Sequence, residues 1–218
     1  PRPSNPRRVP YAALGSERDR APGFDLQLCL AESAHASGQN EQAEVLFTEL
    51  LQQASSNVEH GRATLACMAL YNTLGRKHDS LRLGKLCLSR FGVTIADTPE
   101  AARAIVRTGF AEIEKGLAGR EPEELLAAPE LHDPEQRMIL MLLFQAATAG
   151  YFIHPALMVA PMTQHINLVM QAGNCELSAV GYAVIGSCTA GLHKRYAEAG
   201  RFARLSLAVT EKYPVCNS

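Results

Sequence analysis

The sequence predicts an all-α fold in which antiparallel helical hairpins stack into a right-handed α-solenoid, and three observations carry that prediction. The first is a stripe of apolar or small residues, Ala43, Leu46, Phe47, Leu50, Leu51 and Ala54. Their spacing of i, i+3, i+4, i+7, i+8 and i+11 is one face of a helix with 3.6 residues per turn. The second is punctuation, since Gly38, Gly75 and Gly92 each fall where a stripe ends. The third is repetition: a shift of 37 positions lays Gly38 on Gly75, Leu46 on Leu83, Leu50 on Cys87 and Leu51 on Leu88. Two short helices alone cannot offset the roughly 1–2 kcal/mol of backbone entropy lost per residue. Each hairpin therefore needs neighbours of its own kind.

Residues 1–24 hold five prolines and five arginines and little periodicity, which predicts a linker or lead-in ahead of a helical repeat domain over 25–218. Asp25 is a candidate N-cap for the first helix, whose expected stripe is Leu26, Cys29, Leu30 and Ala34, with a stop at Gly38. The second helix carries the stripe through Ala54. Asn57 is the candidate cap of a third, with Ala63, Ala66, Cys67, Leu70, Tyr71 and Leu74 on its face, and a fourth shows Ser80, Leu83, Gly84, Cys87, Leu88 and Phe91. The echo is degenerate, because Phe47 falls on Gly84 and Ala43 on Ser80. Its period lies near the ~34 residues of tetratricopeptide units.

Thr98-Pro99-Glu100 supplies a cap, a first-turn proline and an acid for a fifth helix. Its face is Ala102, Ile105, Val106, Gly109, Phe110, Ile113 and Leu117. A short helix is expected around Pro122–Ala128. Asp133-Pro134-Glu135-Gln136 repeats the start signal, with Gln136 placed for a capping box. Helices near 134–149, 156–172, 175–191 and 196–213 follow.

Between Arg137 and Lys194 the only Asp, Glu, Lys or Arg is Glu176. The run 138–162 is long enough to span a bilayer. However, Gln145, His154, Pro155, Pro161 and the Gly150-Tyr151 break argue against a span, and no Lys/Arg cluster flanks it. Inner helices covered on both sides are the leading reading, and a face that meets another domain is the second.

A net charge of −1 gives no global field for nucleic acid or an acidic membrane. Six scattered cysteines without a CxxC pair point to reduced thiols in a cytoplasmic setting. The chain opens on Pro1 without a signal-peptide pattern and stops after Tyr213 without an obvious closing helix, so a piece of a longer protein is expected.

Motifs for chemistry are missing. Gly181–Gly186 has the glycine spacing of a phosphate loop, but Ser187 and Cys188 stand where the phosphate-binding Lys and Ser/Thr belong. Close helix approach explains those glycines better. No GxSxG elbow, HExxH pair or GxGxxG loop occurs, and none of the seven histidines stands three or four residues from a cysteine or another histidine. The expectation is no catalytic, cofactor or metal residue. Tyr71, Tyr151, Tyr182 and Tyr196 are the candidate partner-binding residues, and His154 and His165 are the ones an enzymatic reading would need.

The order of segments resembles a tetratricopeptide-like region of very large signalling proteins. In these a Ser/Thr-kinase-like domain precedes an AAA-type ATPase, and a GAF domain and histidine-kinase module often follow the helical segment. The stretches that carry the resemblance are Leu30–Ala54, Leu83–Thr98, Asp133–Val169 and Gly173–Tyr213. One departure is His193-Lys194-Arg195, where the family shows Gly-Asp/Asn before the tyrosine matching Tyr196. The resemblance implies a non-catalytic scaffold and relay whose partners are neighbouring domains of the same polypeptide or another protein. The parent's ATP-binding motifs lie outside this chain. A standalone peptide-binding adaptor is the alternative, and an all-α enzyme the remote one.

The stripe makes a stability prediction. Leu46→Asp costs several kcal/mol in a thermal melt if Leu46 faces the core, since leucine burial is worth roughly 1.5–3 kcal/mol and a buried charge adds to that.

Overall fold

The computed structural model describes residues 17–117 and 119–214, and side chains from residue 23 onward. Among them are nine α-helices: α1 Glu17–Ala36, α2 Asn40–Gln53, α3 Asn57–Thr73, α4 Lys77–Arg90, α5 Pro99–Leu117, α6 Pro134–Tyr151, α7 Pro155–Ala172, α8 Ser178–His193 and α9 Tyr196–Lys212. A 3-10 helix, Pro122–Ala127, links α5 to α6. The all-α expectation is met, with no strand among the described residues.

Four hairpins form, α1/α2, α3/α4, α6/α7 and α8/α9, and each packs on the next. α2 meets α3, both α3 and α4 meet α6, and α7 meets α8. The fifth helix breaks the pairing. α5 runs back to pack along α7, and the 3-10 helix packs on α9. Three apolar clusters follow from this order. The first holds Phe24, Leu28, Ala43, Phe47, Leu50 and Cys67. A second is built around Met68, Leu88, Leu142 and Leu157, and a third around Leu140, Ile166, Tyr182 and Phe202. Leu83 packs against both the first and second clusters, and Leu168 against both the second and third.

The turns are as the glycines predict, with φ of 78° at Gly38, 75° at Gly75 and 74° at Gly92, a region that costs a residue with a Cβ. Starts match less well. α1 begins at Glu17, inside the expected lead-in, so Asp25 is not a cap but pairs with Arg62 at 2.6 Å. Residues 1–16 of that lead-in lie outside the described residues. Ser56 rather than Asn57 caps α3, accepting the Glu59 N–H at 3.1 Å. Asp133 caps α6 as expected and accepts the Gln136 N–H at 2.9 Å.

Three of the four residues of the predicted α1 stripe face solvent, and the fourth, Ala34, is buried as expected. Leu26 is 73% and Leu30 53% exposed, Cys29 is exposed, and Phe24, Leu28, Ala31 and Ala34 are buried. Both sets have helical spacing, and Phe24 decides between them. Assigned to a linker it has no vote; inside the helix it extends the Leu28–Ala31 face by a turn. On α2 the stripe is right, but Leu46 lies at its rim, half-buried, while Phe47 and Leu50 are inside.

The charge-poor half is mainly interior. α7 is covered by α5, α6 and α8, and Glu176 forms an ion pair with Arg137. No described helix is long and apolar enough to cross a membrane.

These placements make a paired prediction. Phe47→Ala should lose about 3–5 kcal/mol in denaturant unfolding, whereas Leu26→Ala should stay within about 0.5 kcal/mol of the parent chain. Equal losses would mean α1 packs through its other face.

Candidate functional site

The four tyrosines do not converge. Tyr182 is 1% exposed and belongs to the core, so it is withdrawn from any partner-binding face. Its hydroxyl donates to Asn174 Oδ1 at 2.9 Å, because a buried phenol needs a partner. Asn174 in turn donates from Nδ2 to the Leu125 carbonyl at 2.7 Å, and its backbone N–H reaches the Pro129 carbonyl at 2.8 Å. Tyr182 thus fastens the α7–α8 turn to the 3-10 segment. Burial pushes its phenol pKa up.

Tyr71 is also committed to the fold. Its hydroxyl donates to Glu44 Oε1 at 3.0 Å, and the Arg76 guanidinium lies 4.2 Å from its ring centroid. Arg76 also contacts Glu44 at 2.9 Å and Asp79 at 2.9 Å. The cluster ties the α2 helix to the α3–α4 turn, and hydrogen bonding from Arg76 holds the Asp79 carboxyl below its ordinary range. Tyr196 is exposed at the start of α9.

Tyr151 alone borders an apolar groove. The space between α6 and α8 is floored by Met158 and Met162 of α7 and lined by Phe144, Ala147, Thr148, Tyr151, Phe152 and Val184, with a volume of about 270 Å³. Phe144 is 41%, Tyr151 65% and Phe152 64% exposed. Tyr151 and Phe152 meet edge to face at 5.2 Å. The Lys77 ammonium, 4.6 Å from the Phe152 ring centroid, also donates to the Asn72 carbonyl at 2.6 Å. Lys77 at the start of α4 therefore stands at the margin of this surface, and the side-chain amide of Asn72, whose carbonyl it holds, is buried with neither end satisfied.

Residues distant in sequence also meet. His60 Nδ1 lies 3.5 Å from Cys87 Sγ and 3.4 Å from the Thr64 hydroxyl, a contact that spacing along the chain does not show. Burial pushes the Cys87 thiol pKa up and the His60 pKa down. A reactive thiolate needs the opposite shift and an accessible sulfur, whereas Cys87 is fully buried.

His154 caps α7, accepting the Ala156 N–H on Nδ1 at 3.1 Å, and its Nε2 faces Arg103 at 3.5 Å. His165 is fully buried and neither ring nitrogen has a partner. Burial lowers its pKa to about 3. The close approach of α8 holds it there: a Cβ on Gly181 would lie 2.6 Å from His165 Nδ1. At Gly186 a Cβ would stand 3.0 Å from the Phe202 Cβ. These two glycines serve packing between helices, as the failed phosphate-loop pattern suggested. No group of three or more potential metal ligands occurs among the described residues.

No protein-family model, curated protein or solved structure matches this chain. The Tyr151 groove is therefore judged on its own geometry. An apolar, aromatic surface with one ammonium at its margin suits hydrophobic side chains of a partner.

The state of His165 fixes a pH dependence. Its folded pKa lies below the unfolded value near 6.5, so the unfolded chain binds more protons between those values and stability is lost as the pH is lowered through them. Full stability holds above about 6.5, and up to about 1.4 kcal/mol is lost for each pH unit below it. His165→Leu should flatten the pH 5–6.5 part of a denaturant-unfolding series. An unchanged slope would show that the imidazole is not sealed from water.

Proposed function

We propose that this chain is a non-catalytic helical-repeat segment of a multidomain signalling protein, a tetratricopeptide-like right-handed α-solenoid. It serves as an interaction scaffold and relay between an ATP-using kinase or ATPase half and an output half. The observation that carries the reading is the groove between α6 and α8, where Phe144, Tyr151 and Phe152 stand exposed around a methionine floor. Exposed apolar patches rimmed by polar residues mark places where proteins meet, and methionine floors adapt to varied side chains.

The partner is a neighbouring domain of the same polypeptide or a separate protein. Hairpins that lean on their nearest neighbours behave as a quasi-one-dimensional stack, and the hairpin-to-hairpin contacts of α2 with α3, α4 with α6 and α7 with α8 support that reading. A partner with different affinity for two arrangements of the stack shifts their balance by that difference. The segment itself consumes no ATP; that chemistry belongs to its neighbours. A cytoplasmic setting agrees with the five free thiols among the described residues, four of them buried.

The test uses the parent protein. Phe144→Ser with Tyr151→Ala should leave the thermal midpoint of the segment nearly unchanged, since both side chains are exposed. The same pair should cut the effector-dependence of phosphorylation several-fold, and excision of residues 25–213 should abolish it. Effector-dependence that survives excision defeats the relay. Retained relay with loss of binding to a separate protein moves the groove to the adaptor reading.

A further inference from the structure

A second groove lies on the other side of α7 from the Tyr151 groove, between α5, α7 and α8. It measures about 460 Å³, within the ~300–1,000 Å³ typical of small-molecule sites. Its apolar wall is Val106, Phe110, Ala156, Val159 and Leu192, and Leu192 is 60% exposed. Phe110 is steadied by His193, edge to face at 4.8 Å.

Three charged side chains line it besides His193. Arg103 is paired with Glu100 at 3.2 Å, and Glu114 with Arg195 at 2.6 Å. Arg107 lies between them on the same helix, exposed and without an ion pair among the described residues. The groove therefore presents one uncompensated guanidinium beside an apolar wall. Its two ends are closed by charged pairs, about 16 Å apart along α5 at 1.5 Å per residue. That geometry takes a short occupant with one negative charge and an apolar body.

We propose that this groove binds an apolar monocarboxylate, a medium-chain fatty acid in size and charge. The carboxylate accepts two parallel N–H bonds from the Arg107 guanidinium. The chain lies along Val106, Phe110, Ala156 and Val159, and Leu192 covers it. The site is separate from the Tyr151 groove and does not depend on the scaffold reading.

Isothermal titration of the full chain with decanoate, kept below its micelle concentration, tests this, with decanol as the uncharged control. Decanoate should bind with one-to-one stoichiometry and decanol at least about tenfold more weakly, the size of one charged hydrogen-bond contribution. Arg107→Gln should weaken decanoate about tenfold with little change in melting temperature, because the side chain is exposed and makes no hydrogen bond or ion pair among the described residues. Ala156→Phe should block binding, and Tyr151→Ala should leave it intact. No heat at millimolar decanoate overturns the proposal. So does binding that ignores Arg107→Gln, or binding lost in Tyr151→Ala, which would place the acid in the other groove.

Discussion

The structure depends on how closely three helices approach α7. A helix with no formally charged residue, covered on several sides, gains little from individual polar contacts and must gain from contact area. Glycines make the area available. A Cβ on Gly109 of α5 would lie 2.3 Å from the Thr163 hydroxyl, one on Gly150 of α6 2.4 Å from the Leu157 carbonyl, and one on Gly181 of α8 2.6 Å from His165. Each neighbour offers a glycine at its crossing point, and each crossing point is different. The polar residues of α7 are accommodated in the same places: Thr163 donates to the Ala160 carbonyl at 2.8 Å, and Asn167 donates to the Gly109 carbonyl at 3.2 Å. His165 has neither ring nitrogen satisfied and Gln164 Oε1 is also without a partner, a cost that the packing around them has to exceed.

Loss of charge is what buries α7, and it also leaves α6 and α8 with bare outer faces. Their inward sides close over α7, but the outward sides keep Phe144, Tyr151 and Leu192 in solvent. On the charged elements the opposite holds. Arg195, Arg201 and Arg204 on and beside α9 pair with Glu114, Glu121 and Glu123 across the α5 end and the 3-10 segment. Such exposed pairs contribute little energy individually, but they set the register of two elements far apart in sequence. The molecule thus has a salt-bridged margin and an aromatic margin, and the second offers apolar area to a partner.

What the sequence disclosed follows the range of the interaction. Helix-long stripes, glycine turns and proline starts are local, and they placed α5 to α9 within a few residues. The orientation of α1 was lost because a linker assignment removed Phe24 from the pattern, leaving Leu26 and Leu30 to look like the core. Pairings across the chain were invisible for a different reason. Nothing in the spacing of His60 and Cys87, or of Tyr182 and Asn174 on either side of a turn, states that they touch. Residue type alone makes Tyr182 look like a surface aromatic, and only its neighbours show it to be a brace. The Arg107 groove was hidden for the same reason, because its walls come from three helices.

The two grooves share α7. Met158 and Met162 floor one, while Ala156 and Val159 line the other. Successive residues on a helix alternate around it by about 100°, so an occupant that displaces Val159 also moves the Met158–Met162 face. α7 cannot shift independently of its neighbours, because Gly109, Gly150 and Gly181 leave no slack at the crossings. A displacement is therefore shared with α5, α6 and α8 rather than absorbed locally, as expected for close-packed interiors. A ligand that bound two arrangements of α7 unequally would alter affinity in the other groove by that difference, and the effect would be reciprocal. α7 is the element that both grooves contact.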